Sequence, residues 1–154
     1  MKKLLLALAM VAATTTAFAS SSLVGAWKSN HDLTMSYATS HARLSPRAEH
    51  VIDQMMGRLT LRFEGSRVSY ELPDWDAEID GKYSHLVGAH ETSDYEILFS
   101  NDNTVAVKGR QLVTGKEMVT VYNFVDANTM WIYLGSNDKG MPDLNMREYF
   151  VRVR

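Results

Sequence analysis

The stretch that decides the fold is RLTLRFEGSRVSYEL, residues 58–72. Leu59, Leu61 and Phe63 alternate with Arg58, Thr60, Arg62 and Glu64. Beyond Glu64-Gly65-Ser66, Val68, Tyr70 and Leu72 alternate with Arg67, Ser69 and Glu71. A period of two sends successive side chains to opposite faces of a strand. The segment therefore reads as a hairpin with one apolar and one solvated face. Working outward, strands are expected over Trp27–Ala38, Lys82–His90, Tyr95–Ser100, Thr104–Gln111, Glu117–Val125, Thr129–Leu134 and Met146–Arg152. Their separators are turn-rich, as in Ser100-Asn101-Asp102-Asn103, Val113-Thr114-Gly115-Lys116 and Asp126-Ala127-Asn128. Roughly eight to nine such strands predict a mainly β protein, an antiparallel up-and-down β-barrel. A two-sheet sandwich is the structural alternative.

One short amphipathic helix is expected after the first strand. Ser45 can cap it, Pro46 takes the favoured first position and Gly57 can close it. Ala48, Val51, Ile52, Met55 and Met56 make a single apolar stripe, with Arg47, Glu49, His50, Asp53 and Gln54 on the wet side. The later strands are apolar on both faces. Met118, Tyr122 and Phe124 alternate with Val119, Val121 and Val125, and Met130, Ile132 and Leu134 with Trp131 and Tyr133. The helix stripe is the expected cover for one of those faces.

The chain has 154 residues, 45% of them hydrophobic and 22% charged, and no cysteine. That composition fits one globular domain and excludes disulfide scaffolds, thiolate chemistry and cysteine-based zinc sites. Lys2 and Lys3 precede an apolar run from Leu4 to Ala13, and Ala17-Phe18-Ala19 has the A-x-A form of a cleavage site. Residues 1–19 are thus read as a signal peptide and residues 20–154 as the mature domain. The run is too short to span ~30 Å of hydrocarbon, and no membrane span is expected in the mature chain. Two of the 16 basic residues leave with the signal, so 14 face 18 acidic residues, a net charge of −4. An acidic domain argues against nucleic-acid binding. The expected location is periplasmic or secreted.

Near the mature start stands Leu23-Val24-Gly25-Ala26-Trp27-Lys28, and the chain ends on Arg147-Glu148-Tyr149-Phe150-Val151-Arg152. Gly-x-Trp entering the first strand, with an arginine on the last, resembles the lipocalins and the wider calycin superfamily. The segment Asp126–Ile132 also looks like a late hairpin of lipocalin-like bacterial proteins. The resemblance implies that Gly25, Trp27 and Arg152 (Arg147 second) close one end of the barrel. The early helix and the missing disulfide depart from secretory lipocalins and favour a small bacterial exported form.

Chemistry is sparsely signalled. Asp76-x-Glu78-x-Asp80-Gly81 resembles the start of an EF-hand loop, but position twelve is Val87 where a bidentate glutamate is required. Asp74, Asp76, Glu78 and Asp80 are therefore read as a solvated acidic loop. His31, His41, His50, His85 and His90 show no ligand spacing, so no metal is expected. No nucleophile elbow, phosphate loop or dinucleotide fingerprint occurs. No residue is singled out as catalytic and no cofactor is expected.

The positive signal is aromatic and thioether content. Tyr70, Tyr83, His85, Tyr122, Trp131 and Tyr133, with Met118, Met130 and Met141, are the candidate lining of a lumen for one small apolar or amphipathic ligand. A side-chain-filled barrel is the alternative, and it would suit an envelope protein partner, as inhibitor or accessory subunit. Residues 135–145 read as a long loop, either a lid at the barrel mouth or a contact loop.

Overall fold

The computed structural model describes residues 22–110, 115–135 and 143–153. The expected signal peptide, residues 136–142 of the long loop with Met141, and the turn residues 111–114 lie outside the described residues. Strand β1 (Gly25–Ser29) leads into helices α1 (His31–His41) and α2 (Pro46–Met55). Strands β2 (Thr60–Glu64) and β3 (Arg67–Leu72) form the hairpin expected from the alternation, with Phe63 opposite Val68 and Leu61 opposite Tyr70. An outlying hairpin follows, β4 (Trp75–Ile79) and β5 (Lys82–Leu86). The wall resumes with β6 (Ala89–Asp94), β7 (Glu96–Ser100), β8 (Thr104–Arg110), β9 (Glu117–Asp126), β10 (Thr129–Leu134) and β11 (Met146–Val153).

Nine of these strands form one antiparallel sheet in the order β6-β3-β2-β1-β11-β10-β9-β8-β7. It curls into a nearly closed barrel whose first and last strands pair, Trp27 opposite Arg152. The two edges, β6 and β7, are separated by Tyr95 alone. They act as one bent path that lies first beside β3 and then beside β8. The Tyr95 amide donates to the Ser66 carbonyl (2.8 Å) and its hydroxyl to the Gly65 carbonyl (2.8 Å), pinning the bend. Nine strands thus fill eight wall positions.

Four expectations need correction. The segment Trp27–Ala38 is not one strand. β1 stops at Ser29, and the Asn30 side chain caps α1 by accepting from the Leu33 amide (2.9 Å). Buried Thr34 and Ala38, four residues apart, face β11, and the Thr34 hydroxyl accepts from the Tyr149 amide (3.0 Å). There are therefore two helices after the first strand.

Lys82–His90 is likewise two strands, broken at Val87-Gly88. The Gly88 amide donates to Asp74 (2.6 Å), and a Cβ there would fall 2.0 Å from the Leu72 carbonyl oxygen. The acidic segment is a strand, β4, rather than a loop. Finally, α2 does not cover the barrel wall. Its Gln54 amide donates to the Glu78 carbonyl (2.9 Å) and accepts from the Glu78 amide (2.7 Å), which docks the helix on β4. The outer face of β9 keeps Val119, Val121 and Val125 exposed.

The core lies inside the barrel. Trp27, Leu61, Phe63, Val68, Val105, Met130 and Phe150 are buried, each contributing about 1.5–3 kcal/mol of apolar transfer. Edge-to-face contacts link Trp27 to Phe124 (5.7 Å) and Phe63 to Tyr95 and Tyr122 (5.4 Å each).

Candidate functional site at the barrel mouth

The two ends of the barrel differ because the chain connects them differently. At one end tight turns join β2 to β3, β7 to β8 and β9 to β10. Here Arg152 lies over the Trp27 ring, 4.1 Å from its centre. Its guanidinium and Nε donate to the carbonyls of Val24 (2.6 Å), Ser22 (2.8 Å) and Ala127 (3.1 Å). Gly25 at φ +120° permits this approach, since a Cβ would sit 2.8 Å from Nη1. A cavity of about 160 Å³ remains beside it, lined by Leu23, Val24, Tyr95, Ile97 and Val105.

At the opposite end the strands give way to α1, α2 and the β4–β5 hairpin. Alternation and register identify the inward residues there: Tyr70 and Leu72 on β3, Glu91 and Ser93 on β6, Met118 and Thr120 on β9, and Ile132 and Leu134 on β10. All of them are partly exposed, Met118 at 37%. Solvent therefore reaches inward-facing side chains at this end, here called the mouth, while Arg152 and Trp27 close over the other.

Beneath it lie two buried ionisable side chains, Tyr122 and Glu148. Tyr122 is only 3% exposed, and its hydroxyl has no hydrogen-bond partner among the described residues. Burial, reinforced by Tyr70 and Glu148 nearby, pushes the phenol far above its ordinary range. Glu148 is buried between Met146 and Phe150 on the inward face of β11. Its Oε1 accepts from the Ser29 hydroxyl (2.6 Å), which in turn accepts from the Gly57 amide (2.9 Å). Burial raises the Glu148 carboxyl, and the Ser29 bond only partly offsets this. Higher on the wall, burial and the charge of Glu91 raise the Tyr70 phenol. Ser93 has a buried hydroxyl with no partner among the described residues.

Of the six candidate lining residues, Tyr70 and Tyr122 point into the barrel. Trp131 and Tyr133 point outward from β10, because Met130, Ile132 and Leu134 take the inward face. Arg147 stacks between Trp131 (3.9 Å) and Tyr37 of α1 (4.6 Å), and the Tyr133 hydroxyl donates to Asp143. Tyr83 is 81% exposed on β5. His85 on the same strand accompanies Asp76 (2.9 Å) and Asp74 (3.8 Å), and the Asp76 hydrogen bond raises its pKa. Neither Tyr83 nor His85 lies in the barrel. Outside it, a groove of about 370 Å³ runs between α1 and α2, lined by Met35, Thr39, Pro46, Glu49, His50 and Asp53.

Glu148, Glu91 and Ser29 are absent from the sequence-based candidates. The signal for Glu148 is the alternation Met146, Glu148, Phe150, which places an acid on an apolar face.

The molecule is thus a nearly closed antiparallel barrel, compatible with a calycin-like fold. Comparison with protein-family models, curated proteins and solved structures finds no match to this chain.

Proposed function

We propose that this is an exported, lipocalin-like binding protein that holds a small amphipathic molecule at the mouth of its barrel. The observation that carries the reading is the asymmetry of the ends. Arg152 and Trp27 seal one end, while inward-facing Tyr70, Leu72, Met118 and Leu134 stay reachable at the other. A concave apolar wall with a few polar groups at its floor is how small-molecule sites are built. Gly25 fits the same reading, since it admits the arginine. Native mass spectrometry of the protein purified from its own envelope should show a co-purifying small molecule. Mass of the bare chain only, with no shift on adding alkyl amphiphiles, refutes it.

A second reading is an envelope protein-interaction module, an inhibitor or accessory subunit. It is favoured by the exposed apolar band of Leu98, Phe99, Val119, Val121 and Val125 on the β7–β9 side of the wall. Val121→Lys would abolish capture of such a partner while leaving small-molecule binding intact.

A further inference from the structure

The polarity at the mouth narrows the ligand class. Among the described residues, the ionisable side chains that face inward there are Glu91, Glu148 and the phenols Tyr70 and Tyr122. Arg58 at this end is held over Trp75 of β4, with its Nε donating to the Gln54 carbonyl, and other arginines of the wall lie elsewhere. Arg152 is bound at the sealed end, Arg147 is stacked outside under α1, and Arg110 alternates outward from Gly109.

An acidic floor alone would not define a site. Tyr122 supplies the independent observation: its side chain is 97% buried, it lies on the inward face of β9, and no hydrogen bond to its hydroxyl is found among the described residues. A bound donor would give that oxygen a partner. Glu148 presents the same need, with one oxygen held by Ser29 and a charge that burial disfavours unless a cation accompanies it.

From these groups we infer that the barrel mouth takes an amphiphile whose polar head is a primary ammonium, its N–H donors shared by Glu148 and Tyr122 and its alkyl part lying along Leu72, Met118 and Leu134. An ammonium has three donors and no acceptor, which matches a floor made of acceptors. A carboxylate head would meet Glu148 and Glu91 as like charges. This inference rests on the reading of the mouth as a small-molecule site.

The test compares decylamine, decanol and decanoate by calorimetry at pH 7, below their aggregation concentrations. Salt is held at 0.15 M so that charges beyond ~8 Å are screened. The amine should bind about tenfold or more tightly than decanol, as expected for a charge-assisted hydrogen bond, with decanoate weakest. Glu148→Gln keeps the Ser29 bond and should bring the amine to the decanol level without changing decanol. Should that variant fail to fold, Tyr122→Phe serves in its place and should weaken the amine selectively. Equal binding of all three probes, or an amine preference that survives both variants, overturns the ammonium inference while leaving the binding site standing. No binding by any probe overturns the parent reading itself.

Discussion

Replacing Arg152 by methionine keeps an apolar stem over Trp27 and removes the guanidinium. Three hydrogen bonds to the carbonyls of Ser22, Val24 and Ala127 go with it, along with the cation–π contact at 4.1 Å. Each hydrogen bond is worth about 0.5–1.5 kcal/mol net, and an exposed cation–π contact about 0.5–1. These carbonyls lie near solvent and can be rehydrated, so the low half of each range applies. A loss of about 2–4 kcal/mol is expected. For a domain of this size that lowers Tm by roughly 6–16 °C. Urea titration followed by tryptophan emission measures it, with Arg147→Met as comparison. Arg147 sits over Trp131 and Tyr37 without reaching the sealing carbonyls, so its loss should be smaller, about 1 kcal/mol. Arg152→Lys should recover less than half, since a point charge cannot span three acceptors. A loss below about 1 kcal/mol for Arg152→Met, or full rescue by lysine, would refute the view of Arg152 as the clamp on this end.

Other outcomes follow from the same geometry. Glu148 holds its proton more tightly folded than unfolded, so the native state binds more protons across that window. Stability should fall as pH rises from the ordinary glutamate range through the raised value; Glu148→Gln should flatten that slope, which urea midpoints at several pH values would read. Gly88→Ala forces a Cβ to within 2.0 Å of the Leu72 carbonyl oxygen, and backbone shifts of this kind cost about 1–3 kcal/mol; chemical denaturation showing no loss would be inconsistent with this packing. His85 should titrate above the ordinary histidine value because of Asp76, and Asp76→Asn should lower it, as followed by ring-proton NMR. Whatever stability that pair supplies is present at acidic pH and lost as pH rises through the raised value.

Much of the barrel was legible because period two is unambiguous when only one parity is apolar. Residues 58–72 are the clearest case, and their register matches the alternation residue for residue. The α2 helix was equally readable from Ser45, Pro46 and its stripe. The α1 helix was not, since Leu33, Met35 and Tyr37 alternate with Thr34, Ser36 and Ala38 as a strand would. What decides it is the Asn30 cap and the packing of Thr34 and Ala38 on β11, a contact between segments more than 100 residues apart. For β10 both parities are apolar, so alternation could not say whether Trp131 or Met130 faces inward. Only the position of Arg147 and Tyr37 outside the wall resolves it. The site was the least legible part. Tyr70 and Tyr122 followed from aromatic content, but Glu148 becomes meaningful only once its burial is seen.

The pairing of β1 with β11 also constrains how the molecule can form. Every other wall contact links strands near in sequence, and these could assemble progressively. The Trp27–Arg152 pair spans nearly the whole chain, and bringing such distant segments together carries a loop-closure cost in entropy. The final hydrogen-bonded closure must therefore await the last strand, and a nascent chain emerging from its N-terminus holds β1 half-paired until then. Folding should be slow for its size, as contact order predicts. That delay would suit the export proposed above, in which the chain crosses a membrane before it takes shape.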